Sequence, residues 1–205
     1  MPQIILEDSD GTLNMLRDSV AQFASRVGGP DVMRARRDAG LGLERKIWEE
    51  MGEAGWLGLM LPEALGGAEL SLKEQAILSE ALGRALISEP LAQLSVFSGA
   101  LLAGVPASDH VSQLAEALIS AQQVISPVWQ DISGNIASLN ASANKDAIVL
   151  DGTAEFVCAA NDADVFLVIA TDATDGTLML LNVPSGKSFF GCGTVTVPRF
   201  VGCLN

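Results

Sequence analysis

The stretch that decides the fold runs from Ile47 to Gly83 and reads IWEEMGEAGWLGLMLPEALGGAELSLKEQAILSEALG. Apolar residues at helical spacing before Gly55 predict one helix, and Gly55 stands where a left-handed helix C-terminus is expected. Ser71 followed by Glu74 is the signature of a capping box, which predicts that another helix begins there. The loop between them, residues 56–67, is too apolar for a solvated connection. We therefore expect two helices joined by a loop that packs across the β domain predicted further along the chain.

Amphipathic patterns predict further helices on both sides of this stretch. Apolar residues three and four positions apart predict a helix from Leu13 to Val27 that stops at Gly28-Gly29-Pro30. Similar spacing predicts a helix around Leu94–Leu101 and another that begins at Ser108, whose hydroxyl can cap it. Residues 1–120 are therefore predicted to form an all-helical domain.

From residue 121 onward the pattern changes to short apolar runs between turn residues. Such runs occur at 124–125, 136–139, 148–150, 165–170 and 178–183. Asp151-Gly152 predicts a hairpin turn that leads into a strand over Thr153–Cys158. Strands at this spacing are typical of an antiparallel sandwich or barrel. The sequence thus predicts an α+β fold, with a helical domain over 1–120 followed by an antiparallel β-sandwich or barrel domain over 121–205.

The composition limits the class of partner and the compartment. The 205 residues carry 12 Lys and Arg against 25 Asp and Glu, a net charge of −13 that argues against binding nucleic acid. Apolar residues make up 49% and charged residues 18%, so we expect some apolar surface to meet a partner in an oligomer. We find no apolar run of the ~18 residues that a membrane helix needs, and no signal peptide. Widely spaced Cys158, Cys192 and Cys203 suggest neither a disulfide framework nor a metal site, so a cytoplasmic protein is expected.

The histidine His110 gives little support to a hydrolase. It stands next to Asp109, but no G-x-S-x-G nucleophile motif accompanies it. We expect His110 to be a solvated residue in the first turn of its helix.

Residues 47–83 resemble the N-terminal helical domain of the acyl-CoA dehydrogenase family. In that family a tryptophan-bearing helix precedes a G-W-x-G-x-x-x-P-E-x-x-G-G loop and a helix that ends E-x-L-G. The strand half is also similar to the family's middle β domain. Asp151–Cys158 corresponds to an N-G-x-K-x-W-I-T segment, and Ala163-Asp164 to an A-D pair before a strand. The resemblance extends from about Leu13 to Val183.

The resemblance implies α,β-dehydrogenation of an acyl-CoA thioester, with FAD as the hydride acceptor. It implies that the flavin lies against Phe156, Val157 and Cys158, with Ser126 and Ser133 near the threonine and serine positions of the facing strand. It also implies a substrate pocket shaped by the loop, whose residues there are Trp56, Leu61, Pro62, Glu63, Gly66 and Gly67.

The sequence departs from the family at two places. The facing strand reads ISPVWQDISG over residues 125–134, where family members have T-E-P-x-x-G-S-D. Its Trp129 suits either stacking on a ring or a half-buried position on a strand. The family's catalytic glutamate lies in a C-terminal helical domain, and the sequence ends at Asn205, so no residue is assigned as the catalytic base.

Three functional hypotheses remain open from the sequence. The chain can be a fragment or shortened member of the family that is inactive alone and forms a homo- or hetero-oligomer. It can be a non-catalytic subunit that completes a partner's site. It can also be an acyl-CoA-binding module without flavin.

Overall fold

The computed structural model of the chain describes residues 6–136, 139–144, 147–186, 195–197 and 199–203. Six α-helices occupy the N-terminal part of the described chain. They are α1 (Thr12–Val27), α2 (Pro30–Asp38), α3 (Arg45–Glu53), α4 (Leu72–Arg84), α5 (Ser98–Ala103) and α6 (Asp109–Ile119). A π-helix, Ala92–Phe97, leads directly into α5, and two 3₁₀ turns, Trp56–Gly58 and Glu63–Leu65, lie between α3 and α4. None of the described helices is long and apolar enough to cross a bilayer.

The strands that follow α6 form a single curled sheet within the described residues. They are β1 (Ile125–Val128), β2 (Leu139–Asn144), β3 (Ala147–Asp151), β4 (Val165–Asp172), β5 (Leu178–Pro184), β6 (Val195–Val197) and β7 (Arg199–Cys203). The strand order is β6-β3-β2-β4-β5-β7, and β1 lies beside β4. Because β6 also contacts β5 and β7 contacts β3, the sheet curls toward closure. The predicted α+β class, helices first and sheet second, is confirmed.

The sheet is mixed, so the prediction of a purely antiparallel sheet was wrong. Both β1 and β2 run parallel to β4, and they follow each other along one edge of it, opposite Val165–Val168 and Ala170–Asp172. The other edge of β4 pairs antiparallel with β5. A run of apolar residues locates a strand but does not give its direction. The parallel pairing is possible because a long connection, with β3 inside it, separates β2 from β4.

The predicted hairpin at Asp151-Gly152 is also corrected by the structure. β3 ends at Asp151, and residues 153–158 are irregular rather than a strand. The antiparallel pair lies one strand earlier, where β2 and β3 place Asn144 opposite Ala147. Phe156 has a φ of 57°, which interrupts any extended conformation across the segment.

The helical prediction holds except for one element. Ser71 and Glu74 form the predicted reciprocal capping box at the start of α4, and the Ser108 hydroxyl accepts a hydrogen bond from Val111 N. The sequence analysis missed α2, because this helix buries no side chain and therefore shows no apolar stripe. Pro30 ends α1 as predicted, but it also stands at the first turn of α2, where a proline is favoured.

Helices and sheet share their hydrophobic cores. One cluster joins Trp48 and Leu78 of the helices to Phe166 of β4, and the other joins Leu114 of α6 to Leu167 of β4. Successive β4 side chains thus enter different clusters, and both faces of this strand are buried. The division into domains at residue 120 stays a prediction.

Candidate functional site

The apolar loop between α3 and α4 is buried, as its composition predicts. Trp56 and Leu61 are each 2% exposed, and Leu57 and Leu59 are also buried. The Ser95 hydroxyl of the π-helix donates a buried hydrogen bond of 2.6 Å to Leu57 O. The loop therefore packs mainly against helical neighbours rather than across the strands, although its buried side chains belong to cores that also contain strand residues.

Two glycines allow the loop to pack this closely. A Cβ on Gly67 would lie 2.1 Å from Leu61 O, and a Cβ on Gly99 of α5 would lie 2.4 Å from Leu61 Cδ1. Both distances are far below any normal contact. The loop conformation therefore requires glycine at residue 67, where the obstacle is backbone.

The predicted pocket residues divide into two groups. Trp56 and Leu61 point into the core, where they support the loop. Pro62 and Gly67 are half-buried, and Glu63 and Gly66 are exposed. Glu63 N donates to Glu69 Oε2 at 3.0 Å, which fixes the backbone at Glu63.

Four half-buried apolar side chains pack on the core cluster that contains Leu61 and Ile125, a set that the sequence analysis did not identify as a unit. They are Leu65, Phe97, Ile119 and Trp129. The rings of Phe97 and Trp129 meet edge to face, with centroids 5.8 Å apart. We call these four residues the apolar wall.

The predicted flavin-contacting segment lies beside β1. The Ser126 hydroxyl donates to Cys158 O at 2.6 Å, and Glu155 N donates to Gln130 O at 2.9 Å. Phe156, between these two bonds, has a left-handed φ of 57° and is 71% exposed. Phe156 thus combines an unfavourable backbone conformation with an exposed ring, as Leu86 does to a lesser degree, and backbone strain clusters at ligand sites. The structure therefore brings Ser126 together with Phe156, Val157 and Cys158.

Ser133 lies in the neighbouring turn rather than beside Ser126. Its N–H donates to Asp131 Oδ1 at 2.8 Å, and Asn135 N and Nδ2 also donate to Asp131. Hydrogen bonds from the Asn135 side chain and backbone lower the pKa of Asp131, so this carboxylate stays ionised and holds the turn. Exposed Ile132 and Ile136 flank the turn.

This segment and its neighbouring turn leave several large apolar side chains exposed. These side chains are Phe156, Ile132 and Ile136, each at least 64% exposed. Their backbone segments are connected through Gln130, which forms a β-bridge with Ile136 and accepts a hydrogen bond from Glu155 N. Burial raises the pKa of the Cys158 thiol, so it stays protonated at neutral pH and is a poor nucleophile. In the part of the chain that the structure describes, no group of three or more His, Cys, Asp or Glu is placed to hold a metal. Cys192 lies outside the described residues.

The expectation of a solvated His110 is corrected. Its ring is half-buried, and Nε2 lies 3.1 Å from Nδ2 of Asn182, a buried residue of β5. The histidine therefore joins the start of α6 to the sheet. An amide in an otherwise apolar strand was the signal in the sequence for this contact.

Comparison with known proteins supports the predicted resemblance to the acyl-CoA dehydrogenase family. Residues 11–105 match the family model for the acyl-CoA dehydrogenase N-terminal domain. Acyl-CoA dehydrogenase IpdE2 of Mycobacterium tuberculosis is 33% identical over 127 residues, which cover 61% of this chain and 40% of the relative. IpdE2 of Mycolicibacterium smegmatis is 30% identical over 135 residues, which cover 65% of this chain and 43% of the relative. The predicted resemblance to the acyl-CoA dehydrogenase family is thus confirmed, and residues 11–105 match the model of the family's N-terminal domain.

Solved structures show that the fold extends beyond that domain. The ChsE4-ChsE5 complex from M. tuberculosis superposes with a TM-score of 0.78 at 21% identity, covering 99% of this chain and 59% of that one. A steroid acyl-CoA dehydrogenase, Tcur3481-Tcur3483, gives 0.71 at 23% identity over 94% of this chain and 54% of that one. The FAD complex of PigA gives 0.74 at 19% identity over 90% and 50%. In each comparison the chain spans about half the length of its relative.

Proposed function

We propose that this chain provides flavin-binding and acyl-binding parts of an acyl-CoA dehydrogenase, which removes hydrogen from the α and β carbons of an acyl-CoA thioester. The observation that carries the proposal is the exposed, left-handed Phe156 beside the Ser126–Cys158 hydrogen bond, in a chain whose N-terminal domain belongs to this family. FAD, when bound, would accept the β-hydride.

In this proposal the segment after β3 supplies one side of the flavin site. Phe156 and Val157 offer apolar contacts to a ring, and the Ser126 hydroxyl fixes the backbone by holding Cys158 O. Ser133, at the exposed tip of its turn, offers a hydroxyl to polar parts of the cofactor.

The acyl chain would lie along the apolar wall, with Pro62, Glu63, Gly66 and Gly67 at its rim. The wall and the flavin segment are close along the backbone, because Trp129 is followed by Gln130, whose carbonyl holds Glu155 N next to Phe156. A thioester bound between them would bring its acyl group near the ring while apolar side chains exclude water.

Titration of the purified chain with FAD tests the cofactor assignment. We expect a visible flavin spectrum and quenched flavin fluorescence, and we expect Phe156→Ala to raise the FAD dissociation constant by about tenfold through loss of ring contact. Leu72→Ala is the matched control, since Leu72 of α4 is 69% exposed and lies in the helical part. Absence of flavin binding by the wild-type chain would overturn the assignment.

A second candidate is a non-catalytic subunit that completes a partner's site. The sequence ISPVWQDISG at the flavin-facing strand favours it, because the family's T-E-P-x-x-G-S-D motif is missing there. The names of two structural neighbours, ChsE4-ChsE5 and Tcur3481-Tcur3483, each pair two proteins. Binding of acyl-CoA without flavin, measured by calorimetry, would favour this candidate or the flavin-free acyl-CoA-binding module over a dehydrogenase.

A further inference from the structure

A polar latch joins the helical part of the chain to the segment before β4. Leu43 N donates to Asp162 Oδ2 at 3.1 Å, and Arg45 Nη2 donates to Asp162 O at 3.0 Å. The same Arg45 nitrogen lies 2.7 Å from Asp164 Oδ2. We call the contacts of residues 42–45 with Asp162 and Asp164 the Arg45 latch.

Asp164 anchors the latch in the sheet. Its Oδ2 also accepts a hydrogen bond of 2.7 Å from Val124 N, at the entrance to β1. Its backbone N donates to Val124 O at 2.9 Å, and its backbone O accepts from Ser185 N at 2.8 Å. One carboxylate therefore ties Arg45 to the strand that carries Ser126.

The helical side of the latch is fixed by a second arginine. Arg36 Nη2 donates to Gly42 O at 2.9 Å, and Arg36 Nη1 lies 2.7 Å from Oε1 of Glu89, whose side chain is fully buried. A Cβ on Gly42 would lie 2.4 Å from Asp162 Oδ2. Glycine at residue 42 is thus required for this close approach.

We propose that the Arg45 latch positions the flavin-contacting segment 156–158, with Arg45, Asp162 and Asp164 as positioning residues; this inference rests on the proposed function. Only three residues separate Cys158 from Asp162, and a turn closes this short connection, with Asp162 N and Ala163 N both donating to Ala159 O. The segment 153–158 belongs to no strand. The restraints on its orientation include the bonds to Gln130 and Ser126, the packing of Val157 and Cys158 against the core, and the latch that follows.

Because the latch is partly exposed, its effect on the position of the segment can be distinguished from its effect on the stability of the whole fold. The side chains of Arg45 and Asp164 are 41% and 36% exposed. An ion pair in such contact with water contributes little to the free energy of unfolding. Loss of Arg45 should therefore disturb the segment it restrains much more than the fold as a whole.

The test uses the full chain with Arg45→Met, Arg45→Lys and Gly42→Ala. We expect Arg45→Met and Gly42→Ala to speed amide hydrogen exchange in residues 156–163 by about tenfold, as loss of one charge-assisted hydrogen bond would. We expect both variants to raise the dissociation constants of FAD and of riboflavin by a similar factor. Arg45→Lys keeps a cation near Asp164 and should retain most of the exchange protection and most of the flavin affinity. Exchange in α1 and α4 should not change.

Arg37→Met is the matched control, because the exposed Arg37 side chain pairs with exposed Asp38 on its own helix. Measurements are made where circular dichroism shows every variant folded. If wild type binds flavin and the latch variants exchange and bind as wild type does, the latch inference is wrong while the proposed function stands. If wild type binds no flavin, both are overturned.

Discussion

At the scale of one residue, Phe156 shows how an unfavourable backbone conformation can point to a candidate ligand site. Its φ of 57° is unfavourable for a side chain with a Cβ, and its 71% exposure means that little burial offsets this cost. The Ser126–Cys158 bond holds the backbone in place nearby. The surrounding structure therefore holds Phe156 in a strained conformation, and strain of this kind is typical of functional sites.

Replacing Phe156 by glycine should separate strain from function. Glycine adopts a positive φ without a Cβ clash, so we expect Phe156→Gly to be more stable than Phe156→Ala by about 1 kcal/mol. Both variants should lose flavin affinity, since both lack the ring. Urea unfolding compares the stabilities and FAD titration the affinities. A Phe156→Gly variant less stable than Phe156→Ala would contradict the strain argument.

At the scale of an element, the start of α4 depends on charge. Ser71 N donates to Glu74 Oε2 at 2.9 Å, and the Ser71 hydroxyl, with backbone groups, lowers the pKa of Glu74 from its ordinary value of 4.5. A carboxyl whose pKa is lower in the folded than in the unfolded state stabilises the fold at pH values above its unfolded pKa. This contribution is lost as the pH falls through the pKa of the folded state.

We expect Ser71→Ala to lower the free energy of unfolding at pH 7 by about 1 kcal/mol through loss of the cap. The difference from wild type should shrink as the pH falls below 4.5, because wild type then loses the Glu74 contribution as well. Chemical unfolding over a series of pH values measures this. A difference that grows toward acid pH would refute the assignment.

The loop between α3 and α4 gives a second element-scale prediction. Gly67→Ala places a Cβ against Leu61 O, and forced overpacking of this kind costs about 1–3 kcal/mol. Gly83→Ala is the matched control, since nothing lies within 4 Å of a Cβ there and α4 should gain up to about 1 kcal/mol. Thermal unfolding followed by circular dichroism should therefore move in opposite directions for the two variants.

The elements show which parts of the fold a sequence can predict. Capping residues and apolar stripes act locally, so α1, α3, α4 and α6 followed from them. α2 lacked a stripe, and the conformation of Phe156 depends on bonds to Gln130 and Ser126, which are distant in sequence. The Arg45 latch joins residues 117 and 119 positions apart, and no local pattern reveals such a contact.

At the scale of the whole molecule, one sheet edge organises both halves of the candidate site. Trp129 follows β1 and joins the apolar wall, while Ser126 within β1 holds the flavin-contacting segment. Parallel pairing of β1 with β4 fixes this edge against both cores. The proposed acyl and flavin surfaces are thus both positioned by β1, so a shift of this strand would move the two surfaces together.

The last prediction concerns turnover by the 205-residue chain alone. Removal of the α-proton needs a base within hydrogen-bond reach of that carbon, and general base catalysis typically contributes ~10²–10⁴-fold. Asp131 and Glu155 lie in or beside the candidate flavin segment and its neighbouring turn, and Glu63, at the rim of the apolar wall, is exposed to water. Asp131 is bound to its own turn, which lowers its pKa and its basicity, and Glu155 is exposed to water. We therefore expect flavin binding without dehydrogenation when straight-chain and steroid acyl-CoA thioesters are assayed with an artificial electron acceptor. Turnover above a free-flavin control that Glu155→Gln abolishes would place the base within these residues and show this expectation to be wrong.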